Sequence, residues 1–371
     1  MHSNTYPASE SKESFRPRIR ILIAAIALLV IALLFAALSI IRTVSTAAAL
    51  RESAFELSDA SEHSYAAAGN GLAAVCGDTA QLFNSGGKCV ASADVDFSSP
   101  RCAAGTKIAL YYSAGEQELV ALYPDGKSAR TDADGGVRCV RVNEEGLCAV
   151  LTDKESYLGS VVVYDESLTP LFRLDATSIT PKAAAVNTNG MLCISGEAEN
   201  GGYLRFFLID AENMQSEFYL ENEPILDFSF LSDGSVAAIT EKALYFVSTD
   251  GTLLSKYPFD KESVSAYSFG SGYAAVALAG LKGGSTAVLT ISPDGEVIGT
   301  FYTPQDVAAV SVNGENLLVL FEGQESTLFT SGMEEVVSYQ PRDDVQQIFL
   351  CSDERAIFAG ASAVMQIDFS R

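Results

Sequence analysis

Short glycine turns recur about every 40 residues along this chain of 371 residues, and each sits between two apolar runs. The turns are Asn84-Ser85-Gly86-Gly87, Tyr123-Pro124-Asp125-Gly126, Ser248-Thr249-Asp250-Gly251, Ser292-Pro293-Asp294-Gly295 and Thr330-Ser331-Gly332-Met333. A fixed period of that length, built from short strands, predicts a β-propeller in which each repeat is one four-stranded blade. A second turn series gives the blade count. Inner hairpins read Gly69-Asn70-Gly71, Ala104-Gly105-Thr106, Glu144-Glu145-Gly146, Thr188-Asn189-Gly190, Ser232-Asp233-Gly234, Gly270-Ser271-Gly272, Val312-Asn313-Gly314 and Ser352-Asp353-Glu354. Asn-Gly and Asp-Gly between apolar runs are strong hairpin signals, because both residues tolerate positive φ. The expected fold is therefore all-β, an eight-bladed propeller, with seven blades as the alternative because the first two are weakly patterned.

Within a blade the strands are lettered A to D from the axis outward. Blade five is the cleanest, with strands expected at 226–231, 235–240, 243–248 and 252–259. The last blade lacks a D strand before the chain ends at Arg371. Residues 54–61 (AFELSDAS) resemble the blade-three segment 171–178 (LFRLDATS), so the N-terminal end of the domain is expected to supply that strand and remove an open edge. On this topology the A–B and C–D turns share one face, and the B–C and D–A connections share the other.

Upstream, residues 21–41 run from Ile21 to Ile41 without a charge, with Ser39 as the one polar side chain. At 1.5 Å per residue such a helix spans roughly 30 Å, the thickness of a bilayer core. A signal-peptide core is about 7–15 residues, so a transmembrane helix fits the length better; the alternative is cleavage after Ala47-Ala48-Ala49. Lys12, Arg16, Arg18 and Arg20 precede the stretch while Arg42 and Arg51 follow it, which orients the N-terminus to the cytoplasm. The expected organisation is a cytoplasmic disordered tail (1–20), a membrane helix (21–41), a short linker (42–53) and an extracytoplasmic propeller (54–371). The tail is net +2, and the rest of the chain holds 20 basic and 45 acidic residues. A domain so acidic repels nucleic acid and suits an exported, soluble module.

Chemistry is sparse. His2 and His63 are the two histidines, and no Gly-x-Ser-x-Gly elbow accompanies His63. No glycine-rich phosphate loop opens a helix, so no nucleotide or other cofactor is expected. Asp94-Val95-Asp96 and Asp132-Ala133-Asp134-Gly135-Gly136 share part of a calcium-loop spacing but lack its remaining ligands and terminal glutamate. The seven cysteines form no C-x-x-C pair and are expected to pack in strands; a Cys76–Cys351 pairing is conceivable because their blades meet at ring closure.

Loop length singles out one sector. The B–C connections of blades three (152–158) and four (196–202), and the D–A connection between them (175–182), are the longest by pattern. They nominate a binding rim of Glu155, Tyr157, Lys182, Glu197 and Glu199. Drift in loop length is the plainer reading, since insertions there cost little.

In turn rhythm and topology, residues 54–368 resemble the WD40-like and quinoprotein-like propeller superfamily. More narrowly, the chain resembles membrane-anchored propeller families of unknown function from Gram-positive bacteria. It departs from the former in lacking every Trp, and so the Trp-Asp dipeptide and the tryptophan-bearing repeats of quinone-binding members. The expectation is a non-catalytic scaffold on the cell membrane that binds a protein or peptide. A sensing module for a small molecule or cell-wall glycan is the alternative, and a hydrolase the third reading.

Overall fold

The computed structural model describes residues 51–55, 57, 63–211, 213–260, 262–280, 284–341, 345–361 and 363–369. The tail, the apolar stretch 21–41 and all of the linker up to residue 50 lie outside the described residues, and the expected membrane helix with them. Among the described residues no helix is long and apolar enough to cross a membrane.

Eight four-stranded antiparallel sheets follow one another along the chain, so eight blades replace the alternative of seven. Blades one to seven cover 63–94, 100–132, 137–176, 180–221, 227–258, 263–303 and 307–339 in simple A-B-C-D order. Blade five matches expectation within one residue: Asp227–Phe230, Val236–Ile239, Ala243–Val247 and Leu253–Pro258. The eighth blade takes Val345–Ser352, Arg355–Gly360 and Val364–Asp368 from the C-terminal end and Arg51–Ala54 from the N-terminal end.

That closing strand lies earlier than the resemblance to blade three suggests. Arg51 pairs with Asp368 and Ala54 with Met365, so the ladder begins inside the expected linker. The reason is Phe55. Its backbone N–H still donates to Val364 O at 3.0 Å, but its side chain turns in and is buried, edge-on to Phe83 of blade one with centroids 5.4 Å apart. The residue matched to an outer-strand position thus acts as a plug between blades one and eight.

Burial explains the sequence pattern. Every residue of Gly71–Cys76 and of Gly159–Tyr164 is buried, because B and C strands are covered on both faces by adjoining blades and read as continuous apolar runs. Outer strands alternate, as in Ser128–Asp132. The core is accordingly a series of layers between blades, such as Leu110, Val150 and Val162 between two and three, or Phe206, Phe228 and Tyr245 between four and five. Turn residues behave as their type predicts. The Asn84 side chain accepts from the backbone of Gly86 and Lys88 at 3.0 and 3.1 Å, while Gly87 takes φ of +76°.

Candidate binding site

The nominated rim residues gather on the face formed by the B–C and D–A connections of blades three and four, in two groups. In blade three the six-residue connection between Thr152 and Gly159 is the loop expected. It exposes Glu155, Tyr157 and Leu158. Beneath it Lys154 Nζ reaches Asp134 at 3.0 Å and Asp175 at 2.9 Å, and Arg173 closes the group by pairing with Asp134. The Lys154 ammonium also lies 5.4 Å from the Tyr157 ring centroid. Hydrogen bonds from Lys154 and Arg173 hold the Asp134 carboxyl below its ordinary value. Burial would raise Asp175, but hydrogen bonds from Lys154 and Ser160 and the nearby charges outweigh it and lower the group. Asp134, one of the two carboxylates in the calcium-like spacing, is committed to cations of the protein itself.

Blade four departs from expectation. Its B and C strands do not stop for a loop at 196–202. Met191–Ala198 and Gly201–Leu208 stay paired to Ala198↔Gly201, leaving Glu199-Asn200 as a two-residue turn. The D strand, Met214–Glu221, is equally long, so the blade rises as a three-stranded tongue. The D–A connection expected at 175–182 shrinks to the three residues between Ala176 and Thr180 because strand pairing consumes the remainder. Lys182 and Glu197 face each other across this sheet as an ion pair at 2.8 Å, and Glu199 is exposed at the tip.

Gly201 permits the tongue. At its φ of +154° an added Cβ would lie 1.9 Å from Leu220 O. One face of the tongue is aromatic: Tyr203 and Tyr219 sit 4.7 Å apart at 31°, Arg205 covers Tyr203 at 5.5 Å, and the Tyr219 hydroxyl donates to Asn200 O at 2.8 Å. Leu226, in the following D–A connection, is 49% exposed. Sequence reasoning missed Tyr203, Arg205, Tyr219 and Leu226. For Tyr203 and Arg205 the available signal was the alternation Tyr203-Leu204-Arg205-Phe206, a period of two that extends back to Gly201 and marks strand.

A second polar group crosses the axis and was not foreseen. Arg141 of the blade-three A strand reaches past blade four to blade five, where its guanidinium pairs with Asp227, donates to Phe228 O and lies 4.9 Å above the Phe228 ring. The Tyr267 hydroxyl of blade six donates to the other Asp227 oxygen at 3.3 Å. Burial, and then the Asp227 charge, push the Tyr267 phenol up to about 12. Next to this tie a cavity of about 390 Å³ opens among Arg141, Asn143, Asn187, Ser229, Ser232 and Ser271, on the A–B side. The Asn143 and Asn187 amide oxygens are used by their own turns, each accepting two backbone N–H groups. What remains is the paired Arg141, hydroxyls and the Glu144 carboxylate at the mouth, a polar surface for a small hydrogen-bonding ligand.

The other chemically able groups are quiet. His63 stacks on Tyr65 at 5.8 Å with the rings 8° apart. All seven cysteines are free, and Cys76 and Cys351 share one apolar cluster as thiols. Burial pushes Cys102, Cys148 and Cys351 up to about 12, which withholds the thiolate. Among the described residues no three His, Cys, Asp or Glu side chains are placed to hold a metal ion.

The fold is an eight-bladed β-propeller with one raised sector on its B–C/D–A face. Residues 45–369 match a family of unknown function (DUF5711), and the chain belongs to that family. Among solved structures it is similar to the C-terminal WD40 domain of Sif2, at 12% identity over 87% of this chain and 99% of that one, with a TM-score of 0.66. BamB from Moraxella catarrhalis matches at 10% identity over 86% and 99%, with a TM-score of 0.60. Streptogramin B lyase matches at 12% identity over 86% and 97%, with a TM-score of 0.52. No curated protein matches the chain.

Proposed function

We propose that this protein is a membrane-anchored, non-catalytic scaffold that offers the B–C/D–A rim of blades three to five to a protein or peptide partner outside the cytoplasm. The observation that carries the reading is the exposure of Tyr157, Leu158, Tyr219 and Leu226 (42, 44, 40 and 49%) on one sector of that face. Exposed aromatic and aliphatic side chains on a rigid, ion-paired base are what protein interfaces use as anchors. Arg51 pairs with Asp368 at the A–B/C–D face, so the chain enters the ring on the face opposite the rim. Photocrosslinking from positions 157 and 219 in intact membranes tests the reading. The expected result is a discrete adduct from each position, the one from 219 lost in a Tyr157→Ala/Leu226→Ala variant and the one from 157 lost in Leu226→Ala. Equal adducts from position 125, on the opposite face, would refute it.

A second reading, a sensor for a small molecule or cell-wall glycan, is favoured by the polar cavity beside Arg141 and Asp227. Wall-fragment saccharides at 100 Kd would raise stability by about 2.7 kcal/mol. A shift that survives Ser232→Phe would remove the cavity as its cause.

A further inference from the structure

Each blade ends in an outer strand whose free edge invites another strand, and natural sheets guard such edges with charges, prolines or bulges. Seven of the eight outer strands are guarded here: by Asp94, Arg130, Arg173, Glu217, Lys256, Glu335 and Glu52 in blades one to five, seven and eight, with Pro170 and Pro258 adding to two of them. The exception is blade six. Its outer strand, Val297–Thr303 (VIGTFYT), has neither charge nor proline, and it exposes Val297, Ile298 and Tyr302 at 41, 44 and 68%. A bulge at Ile298 does not set it apart, since outer strands of blades one, three, four, five and seven carry the same irregularity. From Gly299 to Thr303 the ladder is regular. The strand is also held firmly from within. Gly299 lets the Gly332 turn of blade seven approach so closely that an added Cβ would be 2.6 Å from its carbonyl carbon.

We propose that this edge binds an extended peptide by strand addition, the peptide being apolar or Thr/Val-rich in its centre and basic at its ends. Charge selects that occupant. Asp294 and Glu296 precede the strand, Asp306 follows it, and Glu334 and Glu335 lead into the neighbouring outer strand. A second copy of this chain fits poorly, because antiparallel self-pairing centred on Thr300 sets the acidic residues before one strand beside Asp306 of the other. A peptide with lysine or arginine at both ends meets those carboxylates favourably, and its backbone satisfies the free N–H and C=O groups. The rim reading is independent of this edge.

The test uses the full chain and a fluorescent synthetic peptide, Thr-Val-Thr-Val-Thr between pairs of lysines, read by anisotropy. Saturable binding is expected, weakened about tenfold or more by Ile298→Lys and by Tyr302→Lys with the thermal midpoint unchanged. Leu254→Lys, on the exposed outer strand of blade five, controls for the added charge and should leave affinity intact. A peptide N-methylated at all five residues of its Thr-Val core should not bind, because both of its edges then lack the amide hydrogens that strand addition needs. Binding of the N-methylated peptide, indifference to Ile298→Lys, equal loss with Leu254→Lys, or absence of saturable binding would each overturn the proposal. So would sedimentation showing a dimer of the chain that Ile298→Lys dissolves, since the edge would then belong to a second copy.

Discussion

Ring closure should depend on one side chain. The closing strand Arg51–Ala54 forms four register pairs, and Glu52, Ser53 and Ala54 are exposed. A net gain of about 1 kcal/mol per hydrogen bond is matched by about 1–2 kcal/mol per residue of backbone ordering, so the ladder alone does not hold. Phe55 supplies the difference. It is 6% exposed and packs with Leu72 and Phe83 of blade one and Ile357 and Val364 of blade eight. Removing roughly 150 Å² of buried ring at about 25 cal/mol per Å² gives about 4 kcal/mol, inside the 3–5 kcal/mol range for Phe→Ala.

For the unit 51–370 the entropy of unfolding is about 0.7 kcal/mol per degree, so Phe55→Ala should lower the midpoint by about 6 °C. The location of the loss matters more than its size. Phe246→Ala, inside blade five, removes a comparable ring and serves as the control. Hydrogen exchange should show amides of Arg51–Ala54 and Val364–Asp368 opening about 10³-fold faster in Phe55→Ala, and only with global unfolding in Phe246→Ala. A midpoint shift under about 2 °C, or unchanged exchange in Arg51–Ala54, would refute the claim that Phe55 staples the ring.

Four further outcomes are expected. Gly201→Ala should strain the tongue of blade four and cost about 1–3 kcal/mol in denaturant unfolding, where Gly234→Ala, with open space around its Cβ position, loses less. Arg141→Ala and Asp227→Ala should each destabilise, with a double-mutant coupling of about 1–2 kcal/mol because each partly buried charge loses its partner. The Asp134–Lys154–Asp175 group sets a pH window. Its lowered carboxyls contribute stability above their ordinary 3.8 that is lost as pH falls through their folded values, and its raised lysine contributes below 10.5 and is lost above its folded value. Lys154→Met should therefore flatten the acid side of a midpoint-against-pH curve, whereas Lys107→Met, which removes an exposed ion pair with Glu145, should leave that side unchanged. Alkylation at pH 8 should be slow at Cys102, Cys148 and Cys351 in the folded protein and complete at all seven cysteines in denaturant, counted by intact mass.

The fold was legible because propeller order is written locally. Asn and Asp turns such as Asn187-Thr188-Asn189-Gly190 bond their own backbone, and apolar B and C runs follow from burial on both faces, so neither needs knowledge of the partner blade. The closing strand was found in kind but displaced in register. Its residues were matched by likeness to an outer strand, whereas Phe55 is fixed by Phe83 and Val364, which lie far along the chain.

The candidate rim shows the same division more sharply. Glu155 and Tyr157 were reachable from loop length, a property of neighbouring residues, whereas Lys182, Glu197 and Glu199 were nominated from connections that strand pairing largely consumes. Lys182 and Glu197 nevertheless satisfy each other, so the electrostatics of the rim is spent inside the sheet and its capacity for contact rests on apolar surface. That surface includes Tyr219 and Leu226, which no local pattern marks, because their exposure depends on how far blade four rises above its neighbours. Arg141 and Asp227 are 86 residues apart and meet only when the ring places blades three and five around a common axis. An arginine in an axial strand is the one local hint, since a charge there must find a partner across the channel or remain unpaired in a narrow space. The ring thus converts scattered positions into two sites with different demands: an axial tie whose charges are already matched, and a rim whose exposed rings are not.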